Sequence, residues 1–329
     1  MKTRLLISCA ALAGLLLAAC GDAGTSEASG GQGAGGPRVM ATTTIAGDIV
    51  SQVLDGAGAV EVLLPPGSDP HDFQPSAADV ARMSEADMVV ANGLGLEEGL
   101  AGALETAAAE GVALFELAEG YDTVLDGEHA AGTGEVTGGD AHAEDDHAAG
   151  DPHIWFDPRQ MAEAVLLLGD ELVAAGADES VRESARGYHD ALLETDAEVA
   201  EILSAIPAGD RVLITNHDTM AYFAARYDFS VAGAAIPSTS STAESSAGQL
   251  AELAEVVREA DVPAVFADST VDDSLVRTLA AEAGRPVEVV TLLTDALAPA
   301  GEEGDTYRSL LTVNAQRIAD ALSSRRSTP

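Results

Sequence analysis

The chain has 329 residues, 55 acidic against 16 basic side chains, and a formal net charge of −39. Such a surface repels nucleic acid and anionic lipid, so neither is expected as a partner, and it concentrates cations without proving a ligand. Of the two cysteines, Cys9 and Cys20, one lies inside a leader-like segment, which leaves no disulfide framework and no thiolate metal site.

The leader comes first in chain order. Lys2, the only lysine, and Arg4 precede an apolar run, Leu5–Ala19, too short to span a bilayer permanently. It ends in Leu17-Ala18-Ala19-Cys20, which resembles the bacterial lipobox, where cleavage precedes a cysteine that carries the lipid. Residues 1–19 are therefore expected to be a lipoprotein signal peptide, with Cys20 as the lipidated residue of an extracytoplasmic protein. Gly21–Gly36 is a Gly/Ser/Ala linker with nothing to bury, reaching roughly 20–24 Å as a flexible coil. Residues 20–37 thus read as tether, and folding is expected from Arg38.

From there apolar, β-rich runs alternate with amphipathic stretches. Strands are predicted near Val39–Thr44, Val60–Leu64, Met88–Ala91 and Val112–Leu117, with helices at Ala46–Leu54, Ser76–Glu85 and Glu97–Ala109. The scheme recurs in the second half. There the strands are Arg211–Thr215, Ser230–Ile236, Ala264–Ala267 and Val287–Leu292, and the helices Thr219–Tyr227, Ser246–Glu259, Asp273–Ala283 and Thr306–Leu322. Continuous apolar strands separated by helices imply parallel sheets covered on both faces, hence an α/β protein with two similar lobes, 38–178 and 207–329.

Between the lobes, residues 179–206 read as one helix spanning roughly 40 Å. Ser180 and Glu183 suggest a capping box, Pro207 a stop, and apolar residues follow three- and four-residue spacing, broken at Thr195. A single helix joining two lobes limits hinge bending. His189, among charged neighbours on it, reads as solvated. The segment Glu119–Asp151 lacks Lys and Arg and is dominated by Gly, Ala and acid, so disorder is expected. Its His129, His142 and His147 make it an auxiliary metal-attracting loop.

Two of the seven histidines sit in identical tripeptides, Asp69-Pro70-His71 and Asp151-Pro152-His153. Proline stiffens each and excludes helix at the preceding residue, so each reads as a loop that aims an imidazole. Parallel sheets bind ligands at the carboxyl ends of their strands. His71, His217 and Asp295 follow predicted strands, and His153 precedes a helix starting near Arg159, with Trp155 and Phe156 able to shield it. Each alone has an ordinary explanation. Together they offer three imidazoles and a carboxylate, a complete tetrahedral set for Zn²⁺, with Asp69 and Asp151 placed to orient the imidazoles or their loops.

VEVLLPPGSDPHDFQPS, NGLGLE, DPHIWFDP, TNHDTMAYF, FADSTVDD and TDALAPAGEEGDTYRSLL, in that order, resemble the zinc/manganese substrate-binding lipoproteins of bacterial ABC importers. The resemblance implies two (β/α)4 lobes joined by the rigid helix, with the metal in the interlobe cleft on His71, His153, His217 and Asp295. It implies a non-enzymatic, monomeric receptor, anchored only through its lipid, that delivers an ion to an ABC permease. Manganese-type members often carry Glu at the third ligand position, where this chain has His217, and an acidic His-bearing loop is typical of zinc-type members. Zn²⁺ is therefore the expected cargo, with Mn²⁺, or iron, as the alternative. STSSTAESSAGQL lacks a proline usual there, so the loop after Ile236 is expected to differ. Two readings from other classes stand beside this one. One is a zinc hydrolase whose ion is held by three histidines and a water, the other an adhesin lipoprotein.

Overall fold

The computed structural model describes residues 35–127 and 150–323. Cys20, the leader, most of the linker and His129, His142 and His147 lie outside the described residues.

The chain opens with β1 (Arg38–Ala41) and α1 (Thr44–Leu54), followed by β2 (Ala59–Val62), α2 (Ala77–Ser84), β3 (Met88–Ala91), α3 (Ala101–Ala109) and β4 (Ala113–Glu116). Thr43 caps α1 by accepting the Ala46 N–H at 3.1 Å, and Asp55 ends it in the left-handed region. The strands form one parallel sheet in the order β2-β1-β3-β4, in register Val39↔Val60 and Val39↔Met88. β3 is buried throughout because it is a central strand of the sheet.

After α4 (Pro158–Ala174) and α5 (Val181–Leu203) come β5 (Val212–His217), α6 (Ala221–Tyr227), β6 (Ser230–Ile236), α7 (Ala247–Ala260), β7 (Ala264–Asp268), α8 (Ser274–Glu282), β8 (Glu288–Leu292) and α9 (Tyr307–Ser323). The second lobe repeats the β/α alternation, but hydrogen bonding divides its strands into two parallel pairs, β5-β6 and β7-β8, with β5 lying against β7. A register shift between Leu213 and Ile214 interrupts the first pair.

The connecting helix α5 is shorter than its periodicity predicts, about 34 Å at 1.5 Å per residue. The expected capping box is not formed. Ser180 is already helical and its side chain caps nothing; its N–H instead donates to Asp178 Oδ1 at 2.9 Å. Thr195, which breaks the apolar pattern, is nonetheless buried. Its hydroxyl donates to the Ala191 carbonyl and accepts from Arg308 Nε, satisfying a polar group inside the seam with α9. His189 is partly covered rather than fully solvated, beside Glu163 and Asp190.

One apolar core runs without interruption from β1 and α1 through α4 and α5 to α9. Val181, Ala185, Tyr188, Leu192, Val199 and Leu203 supply α5's buried face. The larger of these side chains stabilise by about 1.5–3 kcal/mol each. Gly169 of α4 is required by this packing, since a Cβ there would lie 2.6 Å from Ala185 Cβ. The helix is thus part of the core rather than a tether, which is the physical content of a rigid connection.

Residues 119–127 of the segment expected to be disordered are ordered. Tyr121 is buried and donates to the Ile154 carbonyl at 2.7 Å, and the Leu125 N–H donates to the Tyr222 hydroxyl at 3.1 Å. Composition alone gives too little weight to that single aromatic anchor. No helix among the described residues is long and apolar enough to cross a membrane.

Candidate metal centre

The two Asp-Pro-His tripeptides make the same local turn. Asp69 Oδ1 accepts the His71 N–H at 2.9 Å, and Asp151 Oδ1 accepts the His153 N–H at 2.9 Å. This is the aspartate-to-backbone turn that the intervening proline pre-sets. The copies differ beyond it. Asp151 Oδ1 also accepts from His153 Nδ1 at 2.7 Å, fixing the ring with Nε2 facing inward. Asp69 instead uses its second oxygen to accept from Ser241 Oγ at 2.5 Å.

His217 is the last residue of β5 rather than a loop residue beyond it. Its Nδ1–H donates to Asp268, the last residue of the neighbouring β7. Asp268 was not anticipated from the sequence. The signal was present, as an acid ending the apolar run Ala264–Asp268 at the carboxyl end of a strand. Asp295 lies in the loop after β8, where its Oδ2 accepts from Thr270 and Thr294 hydroxyls, each at 3.2 Å.

The structure brings His71, His153, His217 and Asp295 together. One ligand-capable atom from each lies within 4.8 Å of the others, and all four residues are buried. His153 Nε2 and His217 Nε2 each stand 3.8 Å from an Asp295 oxygen. The three imidazole centroids are 5.3–5.6 Å apart. The Nε2 atoms of all three histidines and Oδ1 of Asp295 have no hydrogen-bond partner. Buried polar atoms are costly when unpaired, and four converging on one point mark a place built to hold something else. The same chemistry answers why the chain repeats Asp-Pro-His: each copy aims one nitrogen at that point.

Burial and the neighbouring imidazoles push His71 down to about 3, and burial with His217 lowers His153. Both rings are therefore neutral and present lone pairs. Burial also works against a charge on His217, but the Asp268 carboxylate outweighs it and lifts His217 to about 9. Burial raises Asp295 to about 7, against the opposing pull of His217. A divalent cation at the centre would take over the positive charge that protons supply here.

Trp155 shields the centre as expected. Its ring stands 5.3 Å from that of His153, and its Nε1–H donates to the Thr294 carbonyl at 2.9 Å. No carboxylate, histidine or cysteine cluster capable of holding a metal occurs elsewhere among the described residues.

A buried cluster of three imidazoles and a carboxylate between two parallel α/β lobes, joined by a helix that belongs to the core, defines a metal-binding receptor. Comparison with known proteins agrees. The sequence model of the family described as zinc-uptake complex component A, periplasmic, matches residues 39–321, and the chain belongs to this family. It is similar to the manganese ABC transporter substrate-binding lipoprotein PsaA of Streptococcus anginosus, 28% identical over 317 residues, with 94% of this chain and 95% of that protein covered. It is equally similar, at 28% over 314 residues, to the manganese-binding lipoprotein MntA of Halalkalibacterium halodurans, with 94% and 95% covered. Among solved structures, the periplasmic zinc-binding protein TroA of Treponema pallidum superposes with a TM-score of 0.74 at 27% identity, covering 88% of this chain and 100% of TroA. The chain is a metal substrate-binding protein of the ABC-importer type, a transport component and not an enzyme.

Proposed function

We propose that this chain is an extracytoplasmic receptor, anchored through a lipid on Cys20, that binds one Zn²⁺ on His71, His153, His217 and Asp295 and delivers it to an ABC permease. The observation that carries the reading is the convergence of three Nε2 atoms and one carboxylate oxygen, each without a hydrogen-bond partner.

The donor set favours zinc. Borderline-soft Zn²⁺ suits imidazole, whereas Mn²⁺ prefers a shell richer in carboxylate and water. Relatives named for manganese support the alternative cargo, and the family description and TroA support zinc. Tetrahedral zinc with bonds near 2.0–2.1 Å holds its ligand atoms about 3.3 Å apart. The 3.8 Å separations between imidazole and carboxylate lie close to that, and the four ligand atoms lie within 4.8 Å of one another, so loading draws the set inward.

Asp295 separates a carrier from a hydrolase. It fills the fourth position, leaving no open site for an activated water. Asp151 and Asp268 orient His153 and His217, while Asp69 acts on the loop that carries His71. The histidines 129, 142 and 147 serve as an auxiliary capture loop. The receptor works as a monomer, and relatives named as lipoproteins support the anchor.

Metal uptake in a deletion strain tests the role. Loss of growth on scarce zinc, restored by the intact gene, is expected. Unchanged zinc uptake together with failing manganese uptake would transfer the assignment to manganese.

A further inference from the structure

Hydroxyl side chains crowd the segment that follows β6, from Ser238 to Ser246. This segment reaches both sides of the metal centre. On its own lobe, the Ser238 carbonyl accepts the N–H of Asp218, the residue next to His217, at 3.0 Å. Across the cleft, Ser241 Oγ donates to Asp69 Oδ2 at 2.5 Å, between residues 172 positions apart. The other oxygen of Asp69 holds the backbone N–H of His71. One loop therefore connects two of the site's histidines from opposite lobes. Short-range bonds make the loop compact: the Ser240 N–H donates to Ser238 Oγ at 3.1 Å, and the Ser240 and Thr242 hydroxyls pair at 2.8 Å.

The four site residues are not held alike. His153 has its backbone and its ring on Asp151, within a segment that Trp155 ties to Thr294, and all these contacts are buried. The ring of His217 is fixed by Asp268, also buried. Asp295 is held by two threonine hydroxyls, Thr294 through a buried bond and Thr270 through a part-buried one. Asp69 grips His71 by its backbone N–H, and both that bond and the Ser241–Asp69 bond are only part-buried. Water competes for a part-buried hydrogen bond far more readily than for an enclosed one. His153 and His217 are thus held by buried bonds and Asp295 by one buried bond, whereas the bonds that hold His71 through Asp69 are both part-buried.

We propose that Ser241 is a positioning residue for metal capture: its hydroxyl holds Asp69, Asp69 holds His71 over the ion, and opening of the Ser241–Asp69 bond is what lets His71 leave. The proposal rests on the reading of these four residues as the metal's ligands. His71 is then the last ligand to engage and the first to let go.

Stopped-flow release of zinc into excess chelator tests this. Emission from Trp155, the only tryptophan in the chain, serves as the signal. Ser241→Ala should speed release about tenfold, the effect of losing a hydrogen bond to a charged group. Ser241→Thr, which keeps a hydroxyl, should restore slow release. Asp69→Ala should also speed release, and adding Ser241→Ala to it should change nothing further, because both act through one bond. Matched melting temperatures of the metal-free variants separate this from a loss of folding. Wild-type release rates in Ser241→Ala, failure of Ser241→Thr to restore them, or multiplying effects in the double variant would overturn the latch alone. A wild-type chain that retains no zinc would overturn the ligand reading, and the latch with it.

Discussion

The indole N–H of Trp155 donates to the carbonyl oxygen of Thr294 at 2.9 Å, so the segment bearing His153 is bonded to the segment bearing Asp295. Two neighbouring bonds reinforce this bracket. The Tyr307 hydroxyl donates to the Trp155 carbonyl at 2.6 Å, and the Leu297 N–H donates to Thr44 Oγ1 at 2.9 Å. The late segment that carries Asp295 is thus docked on α1 of the first lobe. Two site residues from distant parts of the chain are held as a pair before any ion arrives.

Trp155→Phe keeps most of the ring but removes the donor, stranding a buried carbonyl at a cost of about 1–3 kcal/mol. The melting temperature of the metal-free protein should fall, and zinc affinity, measured by calorimetry, should fall with it. Unchanged affinity would show that the bracket does not set the spacing of His153 and Asp295.

Zinc binding should tighten as pH rises. His217 in the metal-free protein is lifted above its ordinary value of 6.5 to about 9. Its ion pair with Asp268 therefore stabilises that state fully below pH 6.5, and this contribution is lost as pH rises through 9. Zinc takes the neutral ring, so binding below pH 9 must expel that proton. Affinity should rise by up to about tenfold per pH unit between 6.5 and 9 from this group alone. In Asp268→Asn the ring keeps an acceptor but loses the charge, so the slope should flatten, with affinity falling about 10–100-fold. Calorimetry in buffers of different ionisation enthalpy counts the released protons, and a wild-type protein that releases none contradicts the assignment.

Asp295→Ala should weaken zinc binding by at least the roughly 10–100-fold typical of losing a supporting residue, and open a position to water. Alanine at His71, His153 or His217 should cost more, since each removes a well-matched nitrogen. An Asp295→Ala protein of unchanged affinity would remove Asp295 from the ligand set.

Excising residues 128–149 should leave the cleft site intact. The Asp151 N–H donates to the Leu125 carbonyl at 2.8 Å, so the described residues that flank this segment already meet and a short glycine bridge can close the gap. Weak extra zinc sites, or the rate of capture from scarce zinc, should decline. Loss of tight binding would make one of the histidines 129, 142 and 147 a primary ligand.

Much of this architecture is legible in the sequence because its signals are local. Alternating apolar runs and amphipathic stretches place the eight strands of the described residues and their helices, and the repeated Asp-Pro-His turns place two of the imidazoles. What escapes is set by tertiary neighbours. Ser180 looks like a cap, but Asp178 takes the backbone N–H first. Asp268 stays hidden because its role depends on β7 lying beside β5, and Ser241 because its partner is on the other lobe. The second lobe's strands read as one set, although a register shift after Leu213 is invisible in an apolar pattern.

Competitive titration of the metal-stripped chain, with zinc and manganese set against a chelator of known strength, tests the central claim most directly. One tightly held zinc per chain is expected, displacing manganese at equal concentration, with binding lost in His153→Ala. Tight manganese binding with weak zinc binding, or zinc retained at full strength in that variant, would contradict the assignment.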